Sequence, residues 1–133
     1  EYADVKDEII KLTNEVRAEN GVADLTKSDL LMQIAQQRAE ESAQMKAINH
    51  LRPDGSLYDT IFAEYGLDAY EMQDGENLVQ LSEPVAQRAI NAWINSTGHL
   101  KTMLATNKTL VGIGMAKGND GKYYCSMILT DMD

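Results

Sequence analysis

Two imidazoles, one carboxylate beside a glycine and one thiol are the side chains of this sequence whose type and setting invite chemistry. His50 and His99 are the only histidines in 133 residues, and each stands in a junction segment near Gly or Pro. A neutral imidazole offers a ring nitrogen to a divalent cation or moves a proton near neutral pH. The same residue type serves as often as a hydrogen-bonded structural group, and the sequence leaves both readings open. No His-Glu-x-x-His, paired cysteine or local ligand cluster is present. Glu76 sits within Gly75-Glu76-Asn77, where glycine lets the backbone approach a neighbour closely. It reads either as a solvated turn carboxylate or as a partner for an imidazole. Cys125 lies in an apolar run, so it reads as a small core residue rather than a nucleophile. No serine nucleophile elbow and no phosphate-cradling glycine loop occur; Gly112-x-Gly114 is simplest as a strand with small residues.

The elements that must position these groups follow from periodicity. Val5, Ile9, Leu12 and Val16 recur at helical steps before a stop at Asn20-Gly21. Thr26-Lys27-Ser28-Asp29 opens a second helix along Leu30, Leu31, Ile34, Ala35, Arg38, Ala39, Ser42 and Met45. Glu40, Glu41 and Gln44 fall on its polar side. Pro53 and Asp54-Gly55 then force a turn, after which Ser56 caps a shorter helix through Ile61 and Phe62 to Gly66. A polar, irregular stretch is expected to about Leu81, with another strand feasible near Leu78. Ser82-Glu83-Pro84 starts a helix with an apolar face of Val85, Ala89, Ala92 and Trp93. Ser96-Thr97-Gly98 interrupts it before one more turn carrying His99 and Met103. The tail changes to period two: Val111, Ile113 and Met115 alternate with small residues, Gly118 to Gly121 turns, and Tyr123 to Leu129 returns. Helices first and a hairpin last predict a single α+β domain of packed layers over residues 1–133.

Composition narrows the partners. Hydrophobic residues at 44% and charged residues at 25% suit a globular chain rather than a disordered one. The net charge of −9, without a Lys/Arg cluster, repels nucleic acid and anionic membranes. No apolar run reaches the ~20 residues a membrane-spanning helix needs. The chain opens on Glu1 with no basic, apolar leader, so export would imply a signal peptide already removed.

Several segments, in order, resemble the CAP superfamily of cysteine-rich secretory proteins, antigen 5 and pathogenesis-related proteins. These are Asn14 to Gly21, Leu25 to Ser42, His50-Leu51-Arg52-Pro53-Asp54-Gly55, Gly75-Glu76-Asn77-Leu78, Ala92 to His99 with its Trp-x-x-Ser-x-Gly-His form, and Val111 to Met115. The resemblance implies a three-layer α/β/α sandwich with a small antiparallel sheet, usually exported, around a central cleft. It places His50 and His99 in that cleft as candidate ligands for zinc or another divalent metal, with Glu76 as the first acid. Where eukaryotic members carry a second acid this chain has Ser96, and their disulfides are missing, as in a bacterial version. Secreted or cell-surface location follows as an expectation. Two functions are open: a non-enzymatic module for a protein, lipid or cell-wall ligand, or a metal-assisted peptidase with His50, Glu76 and His99 as catalytic residues. The missing second acid and nucleophile favour the first.

Overall fold

A computed structural model describes all residues, 1–133. The chain runs α1 (Ala3–Glu19), β1 (Thr26–Lys27), α2 (Asp29–Met45), a 3-10 turn (Tyr58–Thr60), α3 (Ile61–Glu64), β2 (Asp74–Leu81), α4 (Ala86–Ile94), α5 (Thr97–Met103), β3 (Leu110–Lys117) and β4 (Tyr123–Thr130). The four strands form one sheet in the order β1-β3-β4-β2. β2 and β3 both flank β4 antiparallel, while the two-residue β1 adds to β3 in parallel, so the sheet is mixed.

The alternation along β3 and β4 divides the interior in two, because successive strand side chains face opposite sides. Val111, Ile113, Met115, Cys125, Met127 and Leu129 face α1 and α4, where Ile9, Ala89, Ile90 and Trp93 complete the larger core. Ile128 faces the other way, onto Leu31, Ile34 and Ala35 of α2 and onto Ile61 and Phe62 of α3. Helices thus cover both faces, giving the expected three layers in an α+β chain. Gly112 and Gly114 lie under α2, and a Cβ on either would come within 2.1 Å of a backbone carbonyl of Leu31 or Ala35. The two glycines therefore set how closely α2 lies on the sheet.

Local signals place the ends of α2. Ser28, extended at φ −110°, accepts the Leu31 amide on its hydroxyl, the bond expected of a helix cap. Ser56 does not cap: its hydroxyl donates to Asp54 Oδ1 inside the turn, and neither the 3-10 turn nor α3 has a side-chain cap. The stretch expected to be irregular up to Leu81 is strand β2 from Asp74 onward. α4 begins after Pro84, with Val85 as its cap residue. Val85 and Ala92, expected on its apolar face, are exposed, and Ala86 and Ile90 take the buried positions. Cys125 is buried in the larger core, which pushes its thiol up to about 12, so it is an inert packing residue.

Candidate functional site

β2 is an edge strand, and its first half forms the wall of the cleft. Period two sends neighbouring residues to opposite faces. Glu76 is paired with Ile128 and turns to the α2 side, whereas Asn77 is paired with Met127 and turns to the side of α4 and α5. One strand thus supplies a polar side chain to each layer.

On the α2 side, Arg38 is fully buried and holds Glu76 with two parallel bonds, Nε to Oε2 at 2.6 Å and Nη2 to Oε1 at 3.0 Å. The planar guanidinium fits a carboxylate in this two-pronged way, which fixes orientation as well as distance. Arg38 also donates to Glu41 Oε1 at 3.0 Å and to the Asn49 carbonyl at 3.1 Å. Arg52 continues the chain of charges, binding Glu41 at 2.7 Å and Glu64 at 2.5 Å. Burial alone would weaken the charge on Arg38, yet its bonds to Glu76 and Glu41 outweigh that and raise its pKa. Glu41 is likewise held below the usual carboxylate range, its desolvation outweighed by Arg52 and Arg38. Glu41, expected on the polar side of α2, is therefore buried, because Arg38 and Arg52 neutralise it.

The network ends at His50. Its Nδ1 lies 2.9 Å from Glu76 Oε1, and its carbonyl accepts the Tyr58 amide at 2.7 Å. The turn from Arg52 to Gly55 closes with Gly55 at φ +87°, a value glycine adopts without strain. Its position relative to α2 is set by Arg52. The Tyr58 ring stands 5.9 Å from that of His50, and its hydroxyl donates to Asp74 Oδ1. Burial raises the pKa of Tyr58 first, and its bond to Asp74 adds to the rise.

From the other layer, α5 brings His99. Ser96 stands at the cap position of α5, but its hydroxyl bonds His99 Nδ1 at 2.8 Å instead of a backbone amide. Asn77 Nδ2 donates to the His99 carbonyl at 3.0 Å; because a carbonyl only accepts, this bond fixes the amide orientation. Asn77 Oδ1, on a side chain with no exposure, has no protein partner. Trp93 fixes the strand behind it by donating to the Leu78 carbonyl at 3.1 Å.

His50, Glu76, Ser96 and His99, distant in sequence, thus line one polar cleft of about 260 Å³ together with Asn77 and Thr102. Each imidazole has its Nδ1 occupied by a neighbour, leaving Nε2 as the free ring nitrogen. The protein holds no group of three or more His, Cys, Asp or Glu side chains arranged to take a metal. Arg38, Arg52 and Asn77 belong to the site although sequence reasoning gave them no role there. The readable signal for Arg38 was an arginine on the apolar face of a helix, since such a residue is seldom fully buried without a carboxylate partner.

The two histidines are tuned apart. Glu76 accepts a bond from His50 and raises its pKa, whereas desolvation, and then the charge of His50, lower that of His99. On acidification, His50 is expected to protonate first, above the usual ~6.5, and His99 second, below it. Following both ring protons by NMR across pH 4–9, with His50→Gln for assignment, checks the order. Coincident midpoints would contradict it.

Comparison with known proteins identifies the family and the fold. The profile of the family described as CAP, the cysteine-rich secretory protein family, matches residues 10–129. The chain is 30% identical over 118 residues to the uncharacterized membrane protein YlbC of Bacillus subtilis, covering 88% of this chain and 32% of that protein. It spans between 32 and 40% of the length of the curated relatives it matches. An outer surface protein of Borrelia burgdorferi superposes with a TM-score of 0.85 at 19% identity, over 100% of this chain and 96% of that one. An SCP-domain extracellular protein of Bacillus anthracis does so at 0.77 and 21% identity, over 94% of this chain and 40% of that one. With the family profile spanning both histidines, Glu76 and the final hairpin, and with the same layered fold in these neighbours, the chain belongs to the CAP family.

Proposed function

We propose that this CAP domain is a non-enzymatic binding module, exported or displayed at the cell surface, whose His50/His99 cleft receives a polar ligand or a divalent cation. The observation that carries this reading is the state of Glu76. Both its oxygens are already bonded, Oε2 to Arg38 and Oε1 to Arg38 and His50. A general base must reach the proton it removes through a free lone pair directed at the substrate. Glu76 is instead an orienting group: it holds one tautomer of His50 with Nδ1 protonated and Nε2 free. Ser96 holds the ring of His99 through Nδ1, as a hydroxyl that can donate or accept, where a second acid would give a base. The peptidase alternative is left without a carboxylate base at the wall of the cleft, only the Nε2 atoms of the two imidazoles being open to a proton. Export is supported by the descriptions of two structural neighbours, one an outer surface protein and the other extracellular.

A divalent ion fits the donor set in a limited way. The Nε2 atoms of His50 and His99 would hold it, and the ion would supply a positive centre for a ligand's oxygen. Two protein ligands make an exchangeable site rather than a structural one. Asn77 Oδ1 adds an unpartnered acceptor, of the kind that binds a ligand N–H or O–H.

Titration calorimetry with zinc on wild type, His99→Ala and Glu76→Gln, run beside a peptide-cleavage assay with zinc or chelator, tests the reading. Zinc affinity is expected to fall at least tenfold in His99→Ala and by roughly 10–100-fold in Glu76→Gln, as for loss of an orienting carboxylate. No turnover is expected in any of the three. Equal zinc uptake by wild type and His99→Ala would remove the metal assignment. Zinc-dependent cleavage that vanishes in Glu76→Gln would overturn the non-enzymatic reading.

A further inference from the structure

Next to the histidine cleft runs a second groove, of about 640 Å³, between the start of β2 and the segment that follows α5. Thr102 lines both, so the two adjoin. Lys101 and Lys108 line the new groove, with Thr102, Thr106 and Asn107 as hydrogen-bonding neighbours. Lys46 and Lys117 also share a groove, but Glu40 lines that one as well, whereas the acid beside Lys101 and Lys108 is Asp74, hydrogen-bonded by Tyr58. Neither Lys101 nor Lys108 forms an ion pair; the Lys108 ammonium donates only to the neutral Asn107 Oδ1, at 3.1 Å.

The groove is also built. The last carbonyls of a helix carry partial negative charge and would repel an anion near the end of α5. Arg17 covers the last of them and two carbonyls of the loop beyond: its guanidinium, on a side chain almost wholly buried, donates to Met103 O at 2.7 Å, and to Ala105 O at 3.1 Å and Lys108 O at 3.4 Å. The same bonds pin the backbone on which Lys108 sits. Asp74 is the one acid of the groove, and its Oδ1 is taken by the Tyr58 hydroxyl.

We propose that this groove is an oxyanion subsite of the cleft, in which Lys101 and Lys108 bind a carboxylate or phosphate on the same ligand whose polar end reaches His50, Asn77 and His99. The assignment rests on the binding-module reading and narrows it to ligands that carry an anionic group beside a hydrogen-bond donor. Lysine supplies a point charge rather than a fork, so it accepts either oxyanion.

An amide NMR titration of the whole domain at low ionic strength provides the test, with N-acetyl-alanyl-alanine, its C-terminal amide, and inorganic phosphate as probes. The free acid is expected to shift Lys101, Thr102, Thr106 and Lys108, and the uncharged amide to leave them in place. Phosphate acting where the acid does not would assign the anion as phosphate and still support the subsite. The K101Q/K108Q variant, altered only on side chains that reach solvent, is expected to bind the active anion at least tenfold more weakly. Its histidine resonances and zinc uptake should not change. Equal shifts from acid and amide, no shift from either anion, or undiminished binding in K101Q/K108Q would overturn the subsite. Peptide turnover would sink the binding-module reading but not the anion preference, whereas intact zinc uptake without anion shifts sinks the subsite alone.

Discussion

Replacing Arg38 with methionine is expected to cost about 3–5 kcal/mol of folding stability, the range for breaking a buried ion pair from one side. The size comes from the charges that stay buried without their cation, more than from the bonds that Arg38 itself makes. Glu76 and Glu41 are buried, and Arg38 is the cation both share. Without it, one carboxylate keeps only His50 and the other Arg52 with a long bond from the Gln37 amide. A loss of that size is a large share of the ~5–15 kcal/mol that holds a domain together. Urea denaturation monitored by the signal of Trp93 measures it directly. The double variant Arg38→Met/Glu76→Gln should lose less than the sum of its single changes, by about 1–3 kcal/mol, because the pair acts as a unit. Arg38→Lys should fall between, since an ammonium cannot reproduce the fork on Glu76 while also reaching Glu41 and the Asn49 carbonyl. A loss below about 1 kcal/mol in Arg38→Met, the scale of an exposed pair, would show that the carboxylates recover water and that the network contributes little.

Gly114→Ala is expected to be nearly as damaging, at about 3 kcal/mol, the upper end for forcing extra volume into a packed core. A single methyl would stand 2.1 Å from the Ala35 oxygen and 2.4 Å from its carbonyl carbon. Both are backbone atoms of α2, so no side-chain rotation relieves the clash and the helix itself must lift. Arg38 lies one turn further along that helix, so the variant should also loosen the hold on Glu76. The His50 titration midpoint should then move back toward its ordinary value. Gly98→Ala provides the control: nothing lies within 4 Å of the added carbon, and within α5 the change should stabilise by about 0.5–1 kcal/mol. Thermal unfolding of the two variants side by side separates overpacking from any general effect of removing glycine.

Much of the molecule was legible in the sequence because its causes are local. The three- and four-residue steps of Val5, Ile9, Leu12 and Val16 make α1 amphipathic whatever surrounds it, and Ser28 caps α2 with a bond spanning three residues. The alternation of Val111, Ile113 and Met115 with glycine specifies a strand, and Gly121 at φ +80° completes the turn that composition anticipated. The ordered segments that resemble the CAP family identified His50, Glu76, Ser96 and His99 as one cleft, and the fold brings all four together.

Strand β2 shows where such reading stops. Asp74, Gly75, Glu76 and Asn77 look like a solvated turn, because none has the apolar or β-branched character of a buried strand. All four extend, Glu76 and Asn77 buried and Asp74 half-buried, because their partners lie elsewhere in the chain: Arg38 for Glu76, the His99 carbonyl for Asn77, and Tyr58 for Asp74. Glu41 is the same case on a helix, polar by pattern and interior by virtue of two arginines. Periodicity and capping act over three or four residues, so the sequence alone determined α1, α2 and the final hairpin, whereas the buried face of α4 and the start of α3 depended on the layers around them. Whether a charged side chain ends in water or in a core depends on which opposite charge the folded layers bring within hydrogen-bonding reach, and only the tertiary structure decided that.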